Sequence, residues 1–182
     1  VDNTAAPFIC KPFCHGASII VHSTTKFIGG QGSAIGGVII DGGNFQWESF
    51  KDQQPALNIP DPSYHGAIWS EAAKPLGPIA YILKARTTLL RDLGSAMSPF
   101  NAFQFIQGLE TLTLRIERQS KNAQKIANYL DNNDKISKVI YPTFKKDKKS
   151  RNKYFTKNLY GNLIGFHLKN GYDACKKFID NL

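Results

Sequence analysis

The sequence lacks several features that mark whole classes of protein. None of its apolar runs approaches the roughly 18 consecutive residues that suggest a membrane span, although 42% of the 182 residues are hydrophobic. Its start has no charged region followed by an apolar stretch, so we expect neither a membrane protein nor a secretory signal. It begins with Val1 instead of methionine, and we expect a fragment of a longer chain.

Cysteine is scarce, since only Cys10, Cys14 and Cys175 occur. An odd count in a chain of this length does not indicate a disulfide framework. Cys10 and Cys14, followed by His15, resemble half of a zinc site, but no second pair has the spacing that zinc sites use. We therefore expect no metal and interpret the thiols as buried or half-buried side chains of a cytoplasmic protein.

Acidic residues are outnumbered, with 14 Asp and Glu against 23 Lys and Arg, which gives a net charge of +9. The run "KKDKKSRNK" at 145–153 holds six of the basic residues. A single-strand binder interleaves such charges with aromatic side chains, and this run has none. A solvated loop and helix start is therefore favoured, and we expect no nucleic-acid partner.

The first half of the chain predicts strands and loops. Two apolar runs, 18–21 and 36–41, predict strands that are buried on both faces, as in an α/β sheet. The glycine-rich stretch 29–37 between them predicts a loop whose backbone can approach another group closely. Residues 42–76 are irregular and proline-containing, and they predict a long ordered loop.

The apolar spacing of helices begins after about Gly77. It predicts a helix over 79–94 that stops at its last residue, a glycine. Ser98 followed by Pro99 predicts the start of a second helix, because serine caps helices and proline favours the first helical position. This second helix is predicted to end at Gly108.

A third helix is the clearest periodic element, and it is predicted to end near Asp131. Its apolar residues recur three or four apart on one face: Leu109, Leu112, Ile116, Ala123, Ile126 and Leu130. The remaining chain predicts strands at 135–142 and 162–168, a helix between them and a helix at 172–182. This β-α-β-α pattern indicates a second, small α/β layer.

A lysine follows the first predicted strand, in the stretch "HSTTK" at 22–26. Open α/β sheets bind ligands at the carboxyl ends of their strands, and partial burial there favours a neutral amine. A neutral amine condenses with an aldehyde, while the hydroxyls of Ser23 and Thr25 can donate to phosphate oxygens. The lysine, Lys26, therefore suits an aldehyde that carries a phosphate, and we expect pyridoxal 5'-phosphate.

That cofactor also needs a carboxylate beside its ring nitrogen, to secure the proton that makes the ring an electron sink. Asp2 precedes Lys26 in the chain. If Asp2 ends a strand next to 19–21, both side chains emerge at one edge of the sheet. Each residue alone has a plainer interpretation, the lysine as a surface residue and Asp2 as a turn or cap residue.

The residues around this cluster carry a family resemblance that covers essentially the whole chain. The stretches "VDNT", "KPFCHGASIIVHSTTKFIGGQG" and "IGGVIIDGGNF" resemble the lysine region of the Cys/Met-metabolism enzymes that use pyridoxal phosphate, the cystathionine γ-synthase-like group. Within that family, "PDPSYHG", residues 86–130 and "VIYP" are most similar to O-acetylhomoserine sulfhydrylases.

The resemblance implies roles for four residues. Lys26 matches the lysine that bonds the cofactor and shuttles protons, and Asp2 matches the carboxylate on the pyridinium nitrogen. Ser23 and Thr25 match the hydroxyls on the cofactor phosphate. The implied reaction replaces the acetate of O-acetylhomoserine by sulfide or a thiol, giving homocysteine or methionine. Cystathionine γ-synthase and methionine γ-lyase activities remain alternatives, as does a truncated fragment without activity.

The resemblance also implies part of the type I pyridoxal-phosphate-dependent transferase fold, an α/β fold with a mixed sheet and flanking helices. We expect the C-terminal part of its large cofactor-binding domain over 1–93 and an incomplete smaller α/β domain over 94–182. Family sites are completed across subunits, so we expect a homo-oligomer, a dimer or tetramer, acting on small-molecule substrates without a membrane partner.

Several aromatic residues resemble a ligand site but have plainer interpretations. Phe100, Phe103 and Phe105 are interpreted as core or subunit contacts. Tyr64 and His65 are interpreted as packing within their loop, with a place at the mouth of the active site as the alternative.

Overall fold

The computed structural model describes three ranges of the chain: 1–144, 152–156 and 158–182. Most of the basic run at 145–153 therefore lies outside the described residues. Among those that are described, no helix is both long and apolar enough to cross a membrane. Within the same ranges, no group of three or more His, Cys, Asp or Glu side chains is placed to hold a metal ion.

The chain divides into two compact units. The first comprises Val1–Thr4 and Pro12–Gly108, and the second comprises Ala5–Lys11 and Leu109–Leu182. The domain boundary expected between residues 93 and 94 stays a prediction.

Two antiparallel strands organise the first unit. Strand β1 (Ile19–Ser23) pairs with strand β2 (Gly37–Asp41) so that Ser23 lies opposite Gly37. Both predicted strands are confirmed, but their burial on both faces is wrong for β2, where three apolar side chains are 38–45% exposed: Val38, Ile39 and Ile40. The physical reason is that β2 pairs with β1 alone among the described strands, so solvent reaches both of its faces.

The irregular stretch at 42–76 supplies most of the core of this unit. It folds into short helical turns: Trp47–Phe50, α1 (Pro55–Asn58), Pro62–Tyr64, α2 (Trp69–Ala72) and Lys74–Leu76. The buried core consists of two tryptophans and smaller apolar side chains: Trp47, Leu57, Trp69, Ala73 and Ala80. The predicted ordered loop is therefore a packed element and not a surface excursion.

A buried polar group, the Asp61 cluster (Asp61, Ser63, Trp69 and Lys84), ties this loop to the next helix. The carboxylate of Asp61 accepts hydrogen bonds from the Ser63 hydroxyl at 2.6 Å and from Trp69 Nε1 at 2.8 Å. Lys84 Nζ lies 3.1 Å from the same carboxylate. These bonds, with that of Ser63 foremost, hold the pKa of Asp61 far below its ordinary value.

The predicted helix at 79–94 is present with one irregularity. It consists of α3 (Ala80–Lys84), a π-helical turn (Ala85–Leu90) and α4 (Arg91–Leu93). It stops at Gly94, whose φ of 68° and ψ of 22° are left-handed, a conformation that glycine adopts without strain. The glycine stop signal is therefore confirmed.

One long helix, α5 (Pro99–Asp131), replaces the two that the sequence predicts. Its start is confirmed, because the Ser98 hydroxyl accepts a hydrogen bond from the backbone N–H of Asn101 at 3.1 Å. The predicted end at Gly108 is wrong. Gly108 lies inside the helix because its missing side chain permits a close packing contact, described below, and a glycine alone does not break a helix that packing stabilises.

The second unit packs α5 against a two-stranded sheet. Its buried helix face comprises Leu112, Ile116, Ser120, Ala123 and Ala127. Of the predicted stripe, Leu109 and Ile126 are instead 50% and 51% exposed. Ile126 lies outside the arc of the helix that the buried residues define, whereas Leu109 lies on that arc, one turn before Leu112, and its exposure has no structural explanation.

The strands and last helix of this unit confirm the predicted tail with shorter bounds. Strand β3 (Ile136–Ile140) pairs antiparallel with β4 (Gly165–Leu168), and α6 (Gly171–Ile179) follows. Val139 and Tyr141 complete the core that the α5 alanines begin. Part of the helix predicted between the strands falls on residues outside the described ranges.

Candidate active site

The lysine of interest lies on a π-helical turn, Thr24–Ile28, directly after β1. The turn is closed by the backbone N–H of Gly29, which donates to the carbonyl of Thr24, five residues back, at 2.8 Å. Lys26 departs from helical geometry within it, with φ −87° and ψ −117°. The sequence pattern and this backbone irregularity therefore fall on the same residue, directly after β1.

Thr25 fastens this turn to the start of β2. Its hydroxyl oxygen accepts from the backbone N–H of Gly36 at 3.0 Å and donates to the carbonyl of the same residue at 3.2 Å. A side chain at Gly36 is excluded, because a Cβ there would lie 2.6 Å from the ring of Phe105 and 2.7 Å from the terminal carbon of Met97. The end of the predicted glycine loop is thus fixed at Gly36 by its hydrogen bonds to Thr25.

Helix α5 packs against the turn through Gly108. A Cβ on Gly108 would overlap the carbonyl oxygen of Ile28 and lie 2.7 Å from that of Gly29. Phe105, one helical turn earlier, is 5% exposed and is placed near the same two glycines, Gly29 and Gly36. The lysine turn therefore rests on a close contact between backbone and helix that only glycine permits.

Asp2 lies on a short segment that runs parallel to β1, which is the condition on which the sequence argument depended. The backbone N–H of Asn3 donates to the carbonyl of Val21 at 2.9 Å, and that of Val21 donates to the carbonyl of Val1 at 2.9 Å. Asp2 itself pairs with Val21. Asp2 and Ser23 therefore lie near the carboxyl end of β1, and Lys26 lies on the turn that follows it. This is the arrangement expected if the segment of Asp2 neighbours β1.

Thr4 organises this end of the strand, and sequence reasoning missed it. Its backbone N–H donates to the carboxylate of Asp2 at 2.8 Å, and its hydroxyl oxygen accepts from the backbone N–H of Ser23 at 2.8 Å. Hydrogen bonding from Thr4, first by its side chain and then by its backbone, lowers the pKa of Asp2. A threonine two residues after an aspartate is the signal that was available, since such pairs bond locally.

His22 adds a polar atom beside this segment. Its Nδ1 is buried without a hydrogen-bond partner among the described residues. Burial lowers the pKa of His22, and the nearby charge of Asp2 acts in the opposite direction. Between these two effects, His22 is neutral at physiological pH.

The arrangement of the predicted residues is chemically suited to a phosphorylated pyridine aldehyde. An ionised carboxylate, an amine and two hydroxyl-bearing residues lie at or beside one strand end, and this is the donor set that such a group needs. One expectation is wrong: Lys26 is exposed and not partly buried, because it lies at the non-helical kink of its turn, whose buried residues are Thr24 and Ile28.

The aromatic residues in question are distributed between core and surface. Phe105 is buried, whereas Phe100 and Phe103 are 70% and 56% exposed. The ring of Tyr64 packs 4.9 Å from that of Trp69, with the guanidinium of Arg91 lying 5.6 Å from its centre. Tyr64 therefore packs within its own loop.

The chain matches one protein family and is similar to curated members of known function. Residues 1–182 match the family described as Cys/Met metabolism PLP-dependent enzymes. The O-acetyl-L-homoserine sulfhydrylase of Leptospira meyeri is 50% identical over 190 aligned residues, covering 100% of this chain and 42% of that protein. The homocysteine synthase of Schizosaccharomyces pombe is 41% identical, again covering 100% of this chain and 42% of the relative.

A solved structure is similar as well. A crystal structure assigned to an O-acetylhomoserine (thiol)-lyase of Campylobacter jejuni superimposes with a TM-score of 0.88 at 40% identity. The match covers 98% of this chain and 44% of that one, which carries a pyridoxyl-lysine monophosphate. The predicted α/β fold is confirmed, and the chain spans less than half the length of these relatives.

Proposed function

Since the chain belongs to the family of Cys/Met metabolism PLP-dependent enzymes, we propose that it is the cofactor-anchoring part of an O-acetylhomoserine sulfhydrylase. The proposed reaction replaces the acetate of O-acetylhomoserine by sulfide or a thiol and yields homocysteine or methionine. The activity is proposed for the protein at its natural length, because the relatives that support it are covered to only 42%.

The single observation that carries the proposal is that Asp2 pairs with Val21 of β1 while Lys26 lies on the turn that directly follows the same strand. Pyridoxal phosphate, when bound, withdraws electrons from the carbon atoms of an attached amino acid. In this proposal Lys26 holds the cofactor covalently through Nζ, and the same amine later carries protons to and from substrate carbon atoms. Its exposed position on a turn leaves Nζ accessible to both.

Asp2 is proposed to hold the proton on the ring nitrogen. The hydrogen bonds from Thr4 lower its pKa, so the carboxylate stays ionised at neutral pH and accepts that proton as a charge-assisted hydrogen bond. Thr4 acts as a positioning residue, because it joins the carboxylate of Asp2 to the backbone of Ser23.

Ser23 and Thr25 are proposed to bind the phosphate. The hydroxyl of Thr25 now donates to the Gly36 carbonyl over a long 3.2 Å contact. It can turn that hydrogen to a phosphate oxygen and still accept from the Gly36 N–H at 3.0 Å. Binding then exchanges one weak hydrogen bond for a charge-assisted one, which is stronger.

The test begins with the visible spectrum of the natural-length protein mixed with pyridoxal phosphate. We expect an absorbance band that is absent in Lys26→Ala and kept in Lys138→Ala, an exposed lysine on β3 that serves as the matched control. Borohydride reduction followed by peptide mapping should place the label on Lys26. A label on another lysine, or a band that survives in Lys26→Ala, contradicts the proposed anchor.

Turnover then distinguishes the related activities. O-acetylhomoserine with sulfide tests the sulfhydrylase, cysteine in place of sulfide tests cystathionine formation, and methionine alone tests γ-cleavage. If the natural-length protein binds the cofactor at Lys26 but turns over none of these substrates, the proposed reaction is contradicted and the non-catalytic alternative is favoured.

We also propose a homo-oligomer, a dimer or tetramer, in the cytoplasm. Large apolar side chains are exposed along the start of α5, including Phe100 and Ile106 at 70% and 58%. Exposed apolar patches of this kind mark interaction surfaces. Sedimentation of the natural-length protein tests the assembly, and a monomer at micromolar concentration contradicts it.

A further inference from the structure

A small polar pocket of about 140 Å³ lies in the first unit, apart from the residues proposed to hold the cofactor. It is lined by residues from α2 and from the two short turns around it: Gln46, Glu48, Ser70, Lys74, Gly77 and Pro78. Pockets for drug-sized ligands have volumes of about 300–1,000 Å³. This pocket therefore suits a molecule of only a few non-hydrogen atoms.

A buried tryptophan holds two walls of the pocket together. Trp47, next to Glu48 in the chain, is 8% exposed, and its Nε1 donates to the carbonyl of Pro78 at 3.2 Å. Gly77 precedes that proline with φ 100° and ψ −178°, a conformation that is open essentially to glycine alone. Because these contacts belong to the packed core, the pocket is part of the fold and exists before any ligand binds.

A buried hydroxyl of the pocket lacks a partner. Ser70 is 5% exposed and lines the pocket, yet no described residue forms a hydrogen bond with its side chain. Unlike the hydroxyls of Thr24 and Ser120, it is not fully enclosed. A buried hydroxyl without a partner is destabilising, and a polar molecule in the pocket would supply one.

Two opposite charges line the pocket without neutralising each other. Glu48 is half-buried and Lys74 is exposed. Neither forms an ion pair with the other or with any other described residue. A ligand with a single charge would be attracted by one of them and repelled by the other. A zwitterion, which carries an ammonium group and a carboxylate on neighbouring atoms, complements both.

We propose that this pocket binds a small α-amino acid in its zwitterionic form. The ammonium group of the ligand donates to the carboxylate of Glu48, and the carboxylate of the ligand accepts from Nζ of Lys74. The hydroxyl of Ser70 donates to the same ligand carboxylate and gains the partner that it lacks. No residue of the pocket is among those proposed to bind the cofactor, so the proposal does not depend on the role of Lys26.

The test is calorimetric titration of L-alanine into the natural-length protein after incubation with pyridoxal phosphate and borohydride. Reduction makes the bond to the cofactor permanent, so the cofactor cannot react with the amine of alanine. We expect saturable binding at millimolar concentration, because so small a ligand makes few contacts. Propionate, which lacks the ammonium group, and ethylamine, which lacks the carboxylate, should each bind more weakly.

Charge removal assigns the binding to this pocket. Glu48→Gln and Lys74→Gln should each weaken L-alanine binding by about tenfold, since each removes a charge-assisted hydrogen bond. Glu71→Gln and Lys51→Gln remove exposed charges that do not line the pocket, and they should leave binding unchanged.

Ser70→Ala separates a ligand contact from a structural role. The substitution should leave the melting temperature unchanged or raise it, because the hydroxyl has no partner in the described structure, while weakening L-alanine binding several-fold. The proposal is wrong if L-alanine does not bind at millimolar concentration, or if propionate or ethylamine binds as well. It is also wrong if Glu48→Gln and Lys74→Gln bind as tightly as the parent, since alanine then binds elsewhere.

Discussion

Two carboxylates of the first unit, Asp61 and Asp2, lie in contrasting surroundings. Asp61 is 8% exposed and bonds to Ser63, Trp69 and Lys84, all within its own chain. Asp2 is exposed at a strand end and accepts from the N–H of Thr4, with its outer face open. A carboxylate that is surrounded by hydrogen-bond partners from the chain stabilises the fold. A carboxylate with partners on one side only can still accept a hydrogen bond from a ligand.

The comparison changes the interpretation of a sequence signature. The stretch "PDPSYHG" is among the strongest points of resemblance to the sulfhydrylases, and it contains Asp61. Two of its polar residues, Asp61 and Ser63, are committed to the Asp61 cluster, so these two residues position a loop in the described structure. A family signature can therefore report on packing and not on chemistry.

The largest expected effect comes from removing the carboxylate at the centre of the Asp61 cluster. Asp61→Ala leaves the buried Trp69 Nε1 without its acceptor, and Lys84 keeps only its bond to the Ala56 carbonyl. A buried donor without a partner is costly. We expect the greatest loss of unfolding free energy among the variants considered, measured by urea denaturation. Asp52→Ala, at an exposed position, is the control, and equal losses in the two variants contradict the structural role of Asp61.

The second-largest effect is expected from disturbing the contact between α5 and the lysine turn. Gly108→Ala introduces a Cβ that overlaps the Ile28 carbonyl, and overpacking of this kind costs about 1–3 kcal/mol. The lysine turn must shift, so cofactor binding should weaken while the amides around Asp61 keep their protection in hydrogen exchange. Gly165→Ala, whose Cβ would make ordinary contacts of 3.4–3.9 Å with Ile140, should cost less. Unchanged cofactor affinity in Gly108→Ala would show that this contact does not position the lysine turn for cofactor binding.

A smaller effect concerns the link between the lysine turn and β2. Thr25→Val removes both hydrogen bonds to Gly36, and we expect a loss of about 1 kcal/mol in unfolding free energy, together with weaker cofactor binding. Thr113→Val, at an exposed position on α5, is the matched control. Full cofactor affinity in Thr25→Val would remove this residue from the proposed phosphate site.

The smallest effect is expected in the pH dependence of the unfolding free energy, to which Asp61 contributes. The pKa of Asp61 is lowered in the folded protein, so its contribution is complete above the unfolded value of about 3.9 and is lost as the pH falls below it. Asp61→Asn should therefore reduce the loss of unfolding free energy between pH 5 and pH 3. Some loss remains, because the pKa values of Asp2 and Asp92 are also lowered. An identical pH dependence in the variant would contradict the assignment.

Sequence reasoning succeeded where the determining contacts are local. Strand β1, the Ser98-Pro99 start of α5 and the stop at Gly94 each depend on neighbouring residues, and each is confirmed. Asp2 and Lys26 were expected at one sheet edge, and the pairing of Asp2 with Val21 puts them there. Their roles stay proposals, because no ligand contact tests them.

It failed where the determining contact is distant. Gly108 was interpreted as a helix end because glycine has low helix propensity, but its position is decided by the carbonyl of Ile28, far earlier in the chain. Thr4 was overlooked because one of its two bonds reaches Ser23. The exposure of Lys26 likewise depends on which elements surround it, and the pattern of its own strand does not contain that information.

The position of the two tryptophans has a practical consequence for spectroscopy. Trp47 and Trp69 are the only tryptophans in the sequence, and both lie in the core of the first unit. Their emission will shift to longer wavelength when that core is hydrated, while the second unit contributes no indole signal. A fluorescence transition that precedes or follows the loss of far-ultraviolet circular dichroism would thus reveal that the two halves of the chain unfold in separate steps.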